Sequence, residues 1–79
     1  MNVTLKYFFD VDLYDEKEFY FGEIVQNEKV IYSHENDLKS FSYKEDMIRH
    51  LYIKCAELGF NVAEVIDDTY IPSMWEEQI

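Results

Sequence analysis

The chain has 79 residues and a formal net charge of -10, from 17 acidic against 7 basic side chains. That length allows a single domain, residues 1–79, with 67–79 as a C-terminal tail that packs on the core or on a partner, and the charge argues against direct binding to DNA, RNA or anionic lipid, because phosphate contacts need clustered Lys and Arg. Aromatic residues make up 18% of the chain, which argues against a disordered acidic segment, since such segments hold few rings to bury.

The first element is predicted from strict alternation. Val3, Leu5, Tyr7, Phe9, Val11 and Leu13 are apolar, and Thr4, Lys6, Phe8, Asp10, Asp12 and Tyr14 lie between them. A period of two is the mark of a strand with one buried face, so Asp10 and Asp12 are expected on the solvent side. A turn over Asp15–Glu18 leads into a second strand, Phe19–Val25. Its alternation slips around Gly22, which predicts a β-bulge there. Gln26–Lys29 reads as a short turn and Val30–Tyr32 as a third strand. Connections this short join antiparallel neighbours.

His34–Ser40 is polar and predicts a loop. Ser42 to Glu45 matches the capping-box pattern, with Ser42 as the N-cap. Met47, Ile48, Leu51, Cys55 and Leu58 then recur at helical spacing up to Gly59 and Phe60, a helix stop. A helix is therefore expected over about residues 43–58. Asn61–Ile66 forms a short fourth strand, ended by Asp67 and Asp68. In the tail, Pro72 excludes a regular central strand, and Tyr70, Ile71, Met74 and Trp75 are expected either to cover the core or to meet a partner. The expected fold is α+β: an antiparallel β-meander of three strands, one helix packed on one face and a short fourth strand (β-β-β-α-β), a two-layer sandwich.

Catalytic and metal chemistry find little support. Asp10, Asp12, Asp67 and Asp68 are carboxylates of the kind that hold Mg²⁺ or Mn²⁺, but neither a Gly-rich loop nor an EF-hand spacing accompanies them. His34 and His50 are far apart in sequence and, with Cys55, match no zinc spacing. Cys55, at a helical core position, is expected to be a small apolar residue. As the lone cysteine it permits no intramolecular disulfide. With no charged-then-apolar leader at the start, the expected location is the cytoplasm. No apolar run approaches the roughly 18 residues of a membrane span. No cofactor is expected.

What remains is the acidity itself. Asp10, Asp12, Asp15, Glu16 and Glu18 crowd one short stretch beside Phe8, Tyr14 and Tyr20. Alternate strand residues lie about 6.6–6.8 Å apart, about twice the phosphate spacing of a DNA strand. These eight residues are the candidate partner-binding set: carboxylates to attract a basic groove, rings to supply buried area at its centre. In size, charge and lack of catalytic motifs the chain resembles the small acidic inhibitors that phages direct against bacterial defence nucleases, anti-CRISPR proteins in particular. The resemblance implies a non-enzymatic DNA mimic that occupies the nucleic-acid groove of a basic nuclease or other nucleic-acid-binding protein. Immunity proteins and antitoxins against basic nuclease toxins use the same physics and stand as the alternative. A structural module that dimerises, through Tyr52 and Ile53 on the helix surface, is the alternative of another class; there the acidity serves solubility.

Overall fold

The computed structural model describes residues 1–69. The expectations for Tyr70, Ile71, Met74 and Trp75 lie outside those residues. Four strands and one helix follow in the order β1 (Asn2–Asp12), β2 (Lys17–Gln26), β3 (Lys29–Ser33), α1 (Lys44–Leu58) and β4 (Asn61–Asp68). The α+β, β-β-β-α-β reading therefore holds. The sheet runs β3-β2-β1-β4. β1 pairs antiparallel with β2, and β2 with β3, as the short turns require. β4, however, lies parallel to β1. Two hairpins leave β3 pointing along β1, and α1 carries the chain back across the sheet before β4 begins. A crossover of this kind returns the next strand parallel.

The core lies between α1 and one face of the central strands. Val3, Leu5 and Tyr7 of β1 meet Ile24 of β2 and Met47, Leu51 and Cys55 of α1. Phe60 and Val62 close the end near the helix C-terminus. There the chain stops as expected: Gly59 takes φ 75°, its N–H donates to the Ala56 carbonyl, and Phe60 N–H donates to the Cys55 carbonyl at 2.8 Å. These are the paired bonds of a Schellman turn, with Phe60 as its apolar contact.

Two local expectations need correction. Ser42 is not the N-cap. Tyr43 holds that position, in extended conformation and with no side-chain cap bond, so Ser42 stands one residue too early to reach the free amides. Nor is Gly22 a bulge against β1. The β1–β2 register runs unbroken through Tyr7↔Gly22, and the irregularities fall instead between Ile24 and Val25 facing β3 and between Val3 and Thr4 facing β4. The apparent slip arises because β2 is apolar on both faces: Tyr20, Gly22 and Ile24 face the helix layer, Phe19 and Phe21 the open side.

The β2–β3 turn carries a local strain. Asn27 and Glu28 have φ of 50° and 66°, the two left-handed positions of a type I′ hairpin turn. Asn tolerates that region, whereas for Glu it costs about 1 kcal/mol. Glu28→Gly is expected to raise stability by up to about 1 kcal/mol, a gain of a few degrees in Tm (about 4–8 °C per kcal/mol) read by thermal denaturation.

Candidate functional site

Helix α1 covers only part of the sheet. Its N-terminal end is tied to the end of β4 by Lys44 Nζ, which donates to Asp67 Oδ2 at 2.6 Å. Bonds from Lys44 and from the Thr69 hydroxyl hold the Asp67 carboxyl down to about 2. Asp67 pairs with Tyr7 in the sheet, so the helix layer begins at that level. β4 still flanks β1 at Phe8, opposite Asp68, and Phe41 bridges Tyr20, opposite Phe9. Beyond that level the β1–β2 hairpin continues alone among the described residues. From Phe9 to Asp12 it extends about 10 Å, given the rise of about 3.3 Å per residue.

This projection decides where the candidate residues fall. Alternation had placed Phe9, Val11 and Leu13 on the buried face with Val3, Leu5 and Tyr7. Only the latter three are buried. Phe9 is half-buried, Val11 is 41% exposed, Leu13 87% and Tyr14 99%. Alternation marks which face a residue occupies but not whether a second layer lies over it. The turn also comes earlier than expected, at residues 13–16. Asp12 builds it: its Oδ1 accepts Tyr14 N–H at 2.9 Å and Asp15 N–H at 3.4 Å. Glu16 completes the turn at φ 54°. Asp12 thus has a structural reason to be an aspartate.

The eight candidate residues divide over the arm. Phe8, Asp10 and Asp12 lie on its open face. Asp10 stands opposite Phe19, and Phe8 opposite Phe21. The Phe8 and Phe21 rings stack with centroids 5.1 Å apart, and Phe19 follows 6.0 Å from Phe21. Tyr14, Asp15 and Glu16 form the exposed tip. Glu18 and Tyr20 lie on the opposite face. Tyr20 is half-buried there, packed against the core and bridged to Phe41 by two backbone bonds of 2.7 and 3.0 Å. The arm therefore carries carboxylates on both faces, with Lys17 opposite Asp12, a ridge of rings on one side, and Leu13 and Tyr14 beside Asp15 and Glu16 at the tip. Leu13 and Phe21 belong to that surface though sequence reasoning passed over them. The signal available for Leu13 was its position between Asp12 and Tyr14 at the end of the alternating run.

Elsewhere, the fold joins two residues that the sequence keeps apart. His34 Nε2 lies 2.9 Å from His50 Nδ1. Cys55 is buried, and burial pushes its thiol pKa up. Tyr52 and Ile53 are about half exposed on the helix. Among the described residues no group of three or more His, Cys, Asp or Glu gathers to hold a metal, no pocket forms, and no helix is long and apolar enough to cross a membrane. Comparison with protein-family models, with curated proteins and with solved structures finds no match to this chain.

Proposed function

We propose that the protein is a non-enzymatic inhibitor that inserts its β1–β2 arm into the basic nucleic-acid-binding groove of a partner protein, in the manner of anti-CRISPR or other anti-defence inhibitors. The observation that carries this reading is the arm itself: a two-stranded ribbon beyond the helix layer, bearing Asp10, Asp12, Asp15, Glu16 and Glu18 around an almost fully exposed Leu13–Tyr14 tip. A protein whose carboxylates served only solubility would have no need to place two large apolar side chains at the end of a charged projection. Carboxylates speed the encounter with a Lys/Arg-lined channel, and the tip and the Phe8–Phe21 ridge supply the desolvated contact that holds it. An immunity protein or antitoxin would act by the same contact on a nuclease toxin.

The test replaces Asp10, Asp15 and Glu18 by Lys together and spares Asp12, whose carboxylate shapes the turn. Tagged parent and variant are used to capture partners from bacterial lysate at low and high salt, with duplex DNA as competitor. The parent is expected to retain a basic nucleic-acid-binding protein that duplex DNA displaces. The variant is expected to associate with it at least ~10-fold more slowly at low salt, a gap that narrows as salt rises. Equal association by the two proteins, or self-association alone, would move the acidity to a role in solubility.

A further inference from the structure

His34 has no contact with solvent, so both of its ring nitrogens must find partners within the protein. Nδ1 accepts the Gly22 N–H at 3.0 Å. A neutral ring that accepts at Nδ1 carries its proton on Nε2, and that N–H donates to His50 Nδ1 at 2.9 Å. His50 in turn carries its proton on Nε2; Lys39 Nζ, 3.2 Å from that nitrogen, has donors only and is a neighbouring cation there, not a hydrogen-bond partner. One backbone amide thus sets the tautomers of both rings, and the chain of bonds ends at His50, whose outer edge lies beside the Lys39 cation.

An added proton has no place in this arrangement. On His34 Nδ1 it would confront the Gly22 N–H; on His50 Nδ1 it would confront the His34 Nε2–H. Either way an existing hydrogen bond becomes an opposition of two donors. The surrounding charges are divided. Lys39 from the loop and Lys54 from α1 oppose the extra charge, while Asp37 from the loop and Glu57 from α1 favour it. Tyr32 of β3, edge-on to the His34 ring, has its phenol pushed up to about 12 by burial and the nearby Asp37, and so contributes no charge. Burial dominates: it lowers His34 to about 4 and lowers His50 as well.

The pair also holds a larger piece of structure. Phe41 packs on both imidazoles, at 4.9 and 5.4 Å between centroids. Its backbone makes the two bonds to Tyr20 that cap the free edge of β2, at the root of the hairpin arm. Lys39 N–H closes the loop on the His34 carbonyl at 2.8 Å.

We infer that His34 and His50 form a proton-sensitive latch: uptake of one proton breaks the Gly22–His34–His50 chain and releases the 34–41 loop, with its Phe41–Tyr20 bridge, from the edge of β2. The closed latch binds its proton less readily than the open one, whose imidazoles titrate near the ordinary 6.5. It is therefore fully stable above about pH 6.5 and weakens as pH falls from there toward about 4, with the open fraction rising by up to about 10-fold per pH unit for each imidazole that takes up a proton on opening.

The experiment is NMR on the ¹⁵N-labelled full chain between pH 7.5 and 4.5, following the imidazole nitrogens and the amide protection factors, each corrected for the intrinsic exchange rate. At pH 7.5 both Nδ1 atoms should be unprotonated and both Nε2 atoms protonated. Protection of the Gly22 and Tyr20 amides should fall about 10-fold or more between pH 7 and 5, while that of Leu5 and Ile24 stays constant. His50→Asn keeps an acceptor for the His34 N–H but cannot take a proton; its neutral-pH protection should match the parent, and its loss of protection should move to lower pH. An unshifted His34 titration with constant Gly22 protection, a parallel loss at all four amides, or an unaltered pH profile in His50→Asn would overturn the latch.

Discussion

Gly22→Ala is expected to destabilise the fold by about 1–3 kcal/mol, a large effect for one methyl group. A Cβ built at Gly22 would stand 2.4 Å from Leu51 Cδ1, 3.1 Å from Met47 Sδ and 3.1 Å from the Lys6 carbonyl oxygen. Leu51 and Met47 are themselves fully buried, so neither has an open direction in which to yield. The helix must lift from the sheet or Leu51 must leave its rotamer. A domain of this length has a total stability of roughly 4–12 kcal/mol, and each kcal/mol lost lowers Tm by about 4–8 °C. Urea denaturation of the single variant measures the cost. Leu51→Ala alone should cost about 2–5 kcal/mol, but less in the Gly22→Ala background, where the new methyl fills part of the cavity. A coupling of about 1 kcal/mol or more in that double-mutant cycle would place the clash where the distances put it. Additive losses would mean that the helix accommodates the methyl by shifting as a body.

The same glycine shows why part of this fold was legible in the sequence and part was not. Met47, Leu51 and Cys55 mark the buried stripe of α1, and Gly59 with Phe60 marks its end; these are local patterns that the structure repeats. Gly22 carried a local signal too, but with a different cause. A lone Gly amid a change of phase suits a bulge, and it equally suits a strand with rings on both faces and a helix pressed close to its backbone. Only the helix position distinguishes them. The parallel placement of β4 and the meeting of His34 with His50 depend on the crossover, so no spacing along the chain foretells them. For the candidate site, the charge of Asp10, Asp15, Glu16 and Glu18 was legible, as was the solvent face of β1. The extent of the arm was not, because it is set by where α1 begins and where Phe41 bridges β2.

Leu5→Ala and Leu13→Ala make the same chemical change on one strand and are expected to act on different properties. Leu5 is fully buried on a central strand, opposite Ile24 on one side and Val65 on the other. Removing three carbons there sacrifices apolar burial and leaves a cavity under α1, at a cost of about 2–5 kcal/mol. Against a total of roughly 4–12 kcal/mol, that suffices to unfold much of the population at 37 °C, and circular dichroism should show a Tm lowered by ten degrees or more, at about 4–8 °C per kcal/mol. Leu13 lies in the turn, 87% exposed, and touches no core residue whose packing it could weaken. Its truncation should leave Tm unchanged within about 0.5 kcal/mol. If the arm enters a partner's groove, however, Leu13 becomes buried only in that complex. Leu13→Ala should then weaken the captured complex by about 1–2 kcal/mol, roughly 5- to 30-fold in Kd, mainly through faster dissociation. The charge reversals, in contrast, should act mainly on association. A Leu13→Ala variant with parental stability and parental affinity would remove the tip from the interface and leave the carboxylates to act at long range alone.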